Sequence, residues 1–254
     1  MIRRPPRSTL SSSSAASDVY KRQDLSDDIL ACGGTIDKYM GDCIMAFWNA
    51  PLEDGKHASN AVEAARRMIL TMERVNQELK DSGKSQFDLK IGVGLGTGYC
   101  VVGNMGSDQR FDYSVLGDSV NLAARLEGQS KSYGVKTVIG PETNESVKDL
   151  YATLQLDMIA VKGKKEAVSI FCLLGDPSFK NSVDFKNLEE KHKNVLNHYF
   201  NQNWENAVEE MTQAKTLCKN LMKDYYEMMT ERINEYKKYP PPKDWDGVFV
   251  ATSK

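Results

Sequence analysis

Asn121 and Arg125 stand four positions apart in a segment whose apolar residues recur at helical spacing. Because residues i and i+4 share one face of a helix, we expect the two side chains to lie side by side. An arginine keeps its proton and presents a fork of N–H donors, which suits it to binding phosphate oxygens. The same spacing is also typical of an exposed polar stripe, so the pair alone leaves both interpretations open.

A carboxylate, Asp42, follows Gly41 between two runs of β-type residues, and Lys38 stands just ahead of it. Gly-Asp between such runs predicts a tight hairpin. An aspartate in this place either shapes the turn or binds a divalent cation. A lysine on such a strand is ordinarily solvated, so neither residue defines a site without further context.

The elements that must position these residues form a mixed pattern. Residues 58–79 carry apolar side chains at helical spacing, which predicts an amphipathic helix that covers a sheet. In residues 89–96, apolar residues alternate with Lys90 and three glycines, which predicts a strand with one bare face approached by another backbone or a ligand. Asp118 or Ser119 is expected to cap a helix that runs to about Gln129. Further strands are predicted at residues 35–40, 43–48, 101–102, 111–116, 135–139, 154–161 and 168–174.

Beyond Asp176-Pro177 the composition becomes helical and poor in strands. Residues 199–214 resemble one tetratricopeptide-like helical pair. Because a lone repeat cannot bury its own apolar face, we expect it to dock on the rest of the chain or on a partner. We therefore predict three parts: a non-native or disordered leader (1–23), an α+β domain (24–176) and a helical extension with a Pro-rich tail (177–254).

Composition narrows the class of protein. The chain has 254 residues, 41% of them hydrophobic and 27% charged, which is ordinary for a globular protein. A net charge of −2 gives no general attraction to nucleic acid. The five cysteines form no CxxC pair, so neither a structural zinc site nor a disulfide framework is expected. No apolar run approaches the ~20 residues that a membrane span needs.

Residues 33–42 and 111–127 resemble the two active-site signatures of the class III nucleotidyl cyclases, in the family's order and with its intervening elements. The resemblance covers about residues 33–174. It implies the α+β cyclase fold, a ferredoxin-like or palm-type sandwich, here lacking its first strand. The family's first metal-binding aspartate lies upstream of the position of Gly33, and no counterpart stands in this sequence.

The resemblance also implies roles for particular residues. In the family, the position of Asp42 binds one of two Mg²⁺ or Mn²⁺ ions, that of Asn121 orients the ribose, and that of Arg125 stabilises charge on the α-phosphate. Lys38 and Ser114 occupy the purine-contacting positions, and Lys162 occupies a triphosphate-contacting position. Lys38 favours adenine, whereas guanylyl cyclases typically have Glu and Cys at the two purine positions. Many relatives have Asp or Thr where this chain has Ser114.

The activity that the resemblance implies is that of a bacterial adenylate cyclase, which converts ATP to 3′,5′-cyclic AMP and pyrophosphate in intracellular signalling. It implies a homodimer with shared active sites and a cytoplasmic catalytic domain, whose parent protein could be associated with the inner membrane. We expect this chain itself to be an inactive fragment. Two alternatives stay open: a non-catalytic regulatory or dimerisation module, and a helical-repeat interaction protein.

Overall fold

The computed structural model describes residues 12–83, 88–107, 109–160, 167–242 and 244–249. The chain divides into two compact units, Met1–Lys90 and Ile91–Lys254, called here the N-terminal and C-terminal units. Helices and strands are interspersed in both, as the α+β prediction requires. Among the described helices, none combines the length and apolar content needed to cross a bilayer.

The N-terminal unit consists of a hairpin and two helices: α1 (Ser12–Ala31), β1 (Thr35–Met40), β2 (Cys43–Phe47) and α2 (His57–Asp81). Met40 pairs with Cys43, so Gly41 and Asp42 form a two-residue turn, as predicted. Gly41 has a φ of 65°, which a glycine adopts without steric cost. Helix α1 packs against α2, where Asp28 accepts a 2.7 Å hydrogen bond from the Thr71 hydroxyl.

Helix α1 begins earlier than the sequence suggested. The helix starts at Ser12, inside the segment 1–23 that was assigned to a leader. Residues 1–11 lie outside the described residues, and the leader assignment stays a prediction. The helix ends at a glycine pair, where the Gly33 and Gly34 N–H groups donate to the carbonyls of Leu30 and Ile29.

The C-terminal unit is built on a five-stranded sheet of order β3-β6-β8-β7-β9. Its strands are β3 (Val93–Leu95), β6 (Thr137–Ile139), β7 (Ala152–Ala160), β8 (Ala167–Gly175) and β9 (Val248–Phe249). Strand β3 runs parallel to β6, and β9 runs parallel to β7; the β6–β8 and β7–β8 pairs are antiparallel. Strands β4 (Val101–Ser107) and β5 (Arg110–Leu116) form a separate antiparallel ribbon.

In the described part of this unit, six helices accompany the sheet: α3 (Asp118–Ser132), α4 (Pro141–Val147), α5 (Pro177–Lys180), α6 (Val183–Phe200), α7 (Trp204–Leu217) and α8 (Lys223–Lys238). Helices α6, α7 and α8 share one apolar core with β6, β7 and β8. This core includes Leu154, Leu156, Ile170, Phe185, Tyr199, Met211 and Met229. The expected helical pair, α6 and α7, therefore docks on the chain's own sheet. The apolar face with which a helical-repeat interaction protein would bind a partner is buried within this unit.

A buried histidine joins α6 to the sheet. His192 is 2% exposed, and its Nε2–H donates to the carbonyl oxygen of Gln155 at 2.6 Å. A carbonyl only accepts, so Nε2 carries the proton of the neutral ring. Nδ1 therefore accepts from the Tyr226 hydroxyl, 2.8 Å away. Burial lowers the pKa of His192 to about 4, although the hydrogen bond to Gln155 acts in the opposite direction.

The described part of the Pro-rich tail includes the edge strand β9. Val248 and Phe249 pair with Met158 and Ile159 of β7. The Trp245 ring packs against that of Tyr199, with centroids 5.5 Å apart. The tail therefore belongs to the folded C-terminal unit.

Candidate active site

Helix α3 carries Asn121 and Arg125, and both side chains are exposed. Leu122 and Leu126, on another side of the helix, face Gly140 and the sheet core. The predicted helix is confirmed, and it presents an amide and a guanidinium to solvent one turn apart. Such a pair can donate hydrogen bonds to a hydroxyl and to phosphate oxygens of one ligand.

The glycines of β3 allow α3 to lie directly on the strand. A Cβ on Gly94 would come 2.2 Å from the Ala123 carbonyl oxygen and 2.3 Å from the Glu127 nitrogen. A Cβ on Gly96 would come 2.6 Å from the Ser119 carbonyl oxygen. The bare face predicted from the sequence is therefore covered by another backbone, that of α3. Because Ser119, Ala123 and Glu127 face the strand, Asn121 and Arg125 lie on the opposite side of the helix.

The β3 strand is shorter than predicted. It spans Val93–Leu95, whereas we expected it to start near Leu89. The side-chain amide of Asn76 bonds both backbone groups of Leu89, at 2.8 and 2.9 Å. These bonds replace those that a neighbouring strand would make, so the residue lies outside the sheet.

The start of α3 also differs from the prediction. Neither Asp118 nor Ser119 is the N-cap; Gly117 is, and it makes no side-chain cap bond. Its carbonyl instead accepts from the N–H groups of Val120 and Asn121. Asp118 stands in the first turn, where a carboxylate interacts favourably with the positive end of the helix dipole. The Ser119 hydroxyl lies 2.9 Å from Cys100 Sγ.

Ser114, predicted to contact the purine, is buried on β5 opposite Gly103 and is 5% exposed. It lies in the C-terminal unit with Asn121 and Arg125. Lys162, predicted to contact the triphosphate, lies outside the described residues.

The remaining predicted residues lie on the hairpin of the N-terminal unit. Lys38, on β1, places its ammonium 3.2 Å from the buried Asp37 carboxylate, and its side chain is 44% exposed. Asp42 is exposed at the turn. The Arg22 guanidinium donates to the Gly41 carbonyl and lies 5.8 Å from the centroid of the Tyr39 ring. A positive charge therefore stands at the turn.

The residues present do not complete a metal site. In the described part of the chain, no three His, Cys, Asp or Glu side chains are grouped so that they could hold an ion. Mg²⁺ requires near-octahedral oxygen coordination, and one exposed carboxylate supplies a single protein ligand. The nearby guanidinium also repels a cation. Asp42 alone therefore does not fit a resident divalent ion.

Comparison with known proteins gives a consistent set of matches. Residues 35–175 match the family model described as the adenylate and guanylate cyclase catalytic domain. The chain is 34% identical over 150 residues to adenylate cyclase 1 of Rhizobium meliloti, a match that covers 59% of this chain. It is 36% identical over 158 residues to an adenylate cyclase of Anabaena cylindrica, which covers 57% of this chain. The matches span only 22% and 30% of these two relatives.

Two solved structures resemble the fold. One is the adenylyl cyclase CyaB from P. aeruginosa, with a TM-score of 0.58 and 33% identity, covering 66% of this chain and 86% of that one. The other is the guanylyl cyclase Cya2, with a TM-score of 0.58 and 32% identity, covering 66% of this chain and 84% of that one. The predicted fold class is confirmed by these structures.

Proposed function

Because this chain belongs to the adenylate and guanylate cyclase catalytic domain family, we propose that it carries the nucleotide-handling part of an adenylate cyclase site. The reaction is the attack of the ribose 3′-oxygen on the α-phosphorus of ATP, which forms cyclic AMP and releases pyrophosphate. The observation that carries the proposal is the exposed Asn121–Arg125 pair on a helix seated against the glycines of β3.

Asn121 and Arg125 act by positioning and by charge stabilisation. The Asn121 amide holds the ribose so that the 3′-oxygen faces the phosphorus, which removes the entropic cost of orientation. The Arg125 guanidinium donates to the oxygens of the α-phosphate as negative charge develops there. Removal of one such donor costs about 10²–10³ in rate in other enzymes.

Lys38 and Ser114 define the base that we propose. A lysine can donate to an acceptor atom of a purine, and a serine hydroxyl can donate or accept. The resemblance to the family assigns the lysine at this position to adenine. The relatives from R. meliloti and A. cylindrica are named adenylate cyclases, which supports ATP. The similar structure of a guanylyl cyclase makes GTP the natural competitor to test. Lys162 is proposed to contact the triphosphate.

Members of this family generally use divalent metal, and we propose two Mg²⁺ or Mn²⁺ ions for the complete enzyme. Such ions would neutralise triphosphate charge and favour the deprotonated 3′-oxygen. Asp42 would supply one of their ligands from this chain. Because one carboxylate does not complete the site, we propose that this chain alone does not turn over ATP. A non-catalytic dimerisation module is the second candidate, and this incomplete metal site favours it.

The β4–β5 ribbon supports a homodimer. Val101 and Leu116 are paired across the ribbon, and they are 70% and 61% exposed. Phe111, on the opposite face of β5 from Leu116, is 61% exposed, and Tyr99, just before β4, is fully exposed. Such a concentration of exposed apolar side chains is typical of a protein interface. We propose that a second copy of the chain covers these exposed side chains.

We also propose that the reaction takes place in the cytoplasm and that a longer parent protein could be associated with the inner membrane.

ATP binding tests this proposal without requiring turnover. We expect isothermal titration with ATP to give saturable binding, weaker binding of GTP, and at least about a tenfold loss of ATP affinity in Arg125→Ala. Lys131→Ala is the matched control, since Lys131 is an exposed cation near the other end of α3. Absence of ATP binding, or an equal loss in both variants, would contradict the proposal.

A further inference from the structure

The carboxyl end of α3 is fastened by a buried side chain. Tyr133 is the C-cap of the helix and is 1% exposed. Its hydroxyl donates to Asp157 Oδ2 on β7 at 2.6 Å. The Asp157 carboxylate is fully buried, and its Oδ1 accepts from the Met158 N–H at 2.8 Å. A residue at the end of the Asn121–Arg125 helix is thus bonded to strand β7 of the sheet.

The counter-charge for Asp157 comes from the C-terminal extension. Arg232, on α8, donates through Nη1 to the same oxygen that accepts from Tyr133. Its guanidinium lies 3.7 Å from the centroid of the Phe249 ring and 5.6 Å from that of Tyr133. A buried carboxylate needs such a partner, because an unpaired charge is strongly disfavoured away from water. The extension therefore supplies the counter-charge of the carboxylate that Tyr133 bonds, and this charge opposes the rise in the pKa of Asp157 that burial causes.

A second contact joins the same two elements. Gly134 follows the C-cap with a φ of 62°, which terminates the helix. A Cβ on Gly134 would come 2.5 Å from the Asp224 Cβ and 3.2 Å from the Tyr225 nitrogen. The turn that ends α3 therefore lies against the first turn of α8.

We infer that Arg232 is a positioning residue that acts through Asp157 and Tyr133 to fix α3. This inference rests on the proposed function, because it assigns the C-terminal extension a part in placing Asn121 and Arg125. The glycines of β3 set the distance between the helix and the sheet. The Tyr133 hydroxyl adds a directional bond to the sheet, about 12 Å along the helix axis from Arg125 at 1.5 Å per residue.

Hydrogen exchange on the full chain tests the link without any nucleotide. The reporters are the amides of Tyr133, Gly134 and Val135, which bond to the carbonyls of Gln129, Lys131 and Ser130. In Arg232→Met we expect these amides to exchange at least about tenfold faster than in the unsubstituted chain. In Tyr133→Phe, which keeps the ring and the ion pair, we expect the same change with β7 and α8 unaffected.

Tyr225→Phe is the matched control. The Tyr225 hydroxyl donates to the Leu156 carbonyl at 2.8 Å, so the variant removes a bond between α8 and β7 that does not reach α3. Faster exchange at the reporters in Arg232→Met and Tyr133→Phe but not in Tyr225→Phe supports the inference. Unchanged reporters in Tyr133→Phe, or equal changes in Tyr133→Phe and Tyr225→Phe, overturn it. If Arg232→Met unfolds the whole unit, this comparison of the two tyrosine variants decides.

ATP titration of the same variants separates the inference from the proposed function. If both hold, Tyr133→Phe weakens ATP binding by about fivefold or more, while Tyr225→Phe leaves it unchanged. If the unsubstituted chain binds no ATP, the proposed function fails, and the exchange result still shows whether Arg232 holds the helix. If ATP binds and Tyr133→Phe does not weaken it, the positioning role is wrong.

Discussion

Substitution of Gly94 by alanine tests whether the bare face of β3 places α3. The new methyl group would lie 2.2 Å from the Ala123 carbonyl oxygen and 2.3 Å from the Glu127 nitrogen. Both are backbone atoms in the middle of a helix, so neither can turn aside as a flexible side chain would. To restore ordinary contact distances, the helix must move away from the strand by more than about 1 Å.

The size of the effect follows from this clash. Overpacking of a well-packed site typically costs about 1–3 kcal/mol. A Gly→Ala change also reduces the conformational freedom of the unfolded chain, which stabilises the folded state by about 0.4–1 kcal/mol. We therefore expect Gly94→Ala to lower the free energy of unfolding of the C-terminal unit by about 1–2 kcal/mol.

Gly128→Ala provides the comparison, on the helix that packs against Gly94. Gly128 stands inside α3, it is exposed, and a Cβ there would have no atom within 4 Å. Alanine at such a position should stabilise the helix by up to about 1 kcal/mol. The same chemical change is thus expected to destabilise the unit at the contact between β3 and α3 and to stabilise it on the exposed side of α3.

Urea unfolding followed by the fluorescence of Trp204 and Trp245, which lie in the C-terminal unit, measures both variants. ATP titration then reports whether displacement of the helix reduces affinity, as we expect for Gly94→Ala only. A Gly94→Ala chain as stable as the unsubstituted one, with unchanged ATP affinity, would refute the close helix–strand contact as the device that positions Asn121 and Arg125.

Three further outcomes are expected. Because the pKa of His192 is lowered, its contribution to stability is present above about pH 6.5 and is lost as the pH falls toward 4. The free energy of unfolding should therefore be about 2 kcal/mol lower at pH 5 than at pH 7, and His192→Gln should abolish this difference. Asp157→Ala leaves Arg232 buried without its counter-charge and should lower the free energy of unfolding by about 3–5 kcal/mol. Lys215→Ala, which removes an exposed ion pair, should lower it by no more than about 1 kcal/mol in the same denaturant series. Phe249→Ala removes the ring stacked on Arg232 and should lower the free energy of unfolding by about 2 kcal/mol or more. A denaturation midpoint equal to that of the unsubstituted chain would show that the tail does not cover the guanidinium.

The elements near the candidate site were predictable because their signals are local. The Gly41-Asp42 turn, the helix of Asn121 and Arg125 and the covered glycine face of β3 each follow from spacing within about ten residues. Local pattern also misled: Asp118 is a favoured capping residue, yet the chain enters the helix one residue earlier, at Gly117.

The features that the sequence analysis missed depend on distant partners. Asp157 is separated from Arg232 by 75 residues, and its only signal is a charged residue within the apolar run from Leu154 to Ile159. A buried charge implies a counter-charge but does not say which of the chain's cations supplies it. The pairing of Val248 with β7 was likewise unpredictable, because a short extended tail fits any open strand edge.

Cyclic AMP formation from ATP and Mn²⁺, measured for this chain beside Asp42→Ala, tests the central claim most directly. The account holds that the chain supplies the residues that handle the nucleotide but only one carboxylate for metal. It therefore predicts no product that depends on Asp42, even at ATP concentrations that saturate binding. Cyclic AMP formed by the unsubstituted chain and lost in Asp42→Ala would contradict the account, because it would mean that a complete metal site assembles from these residues.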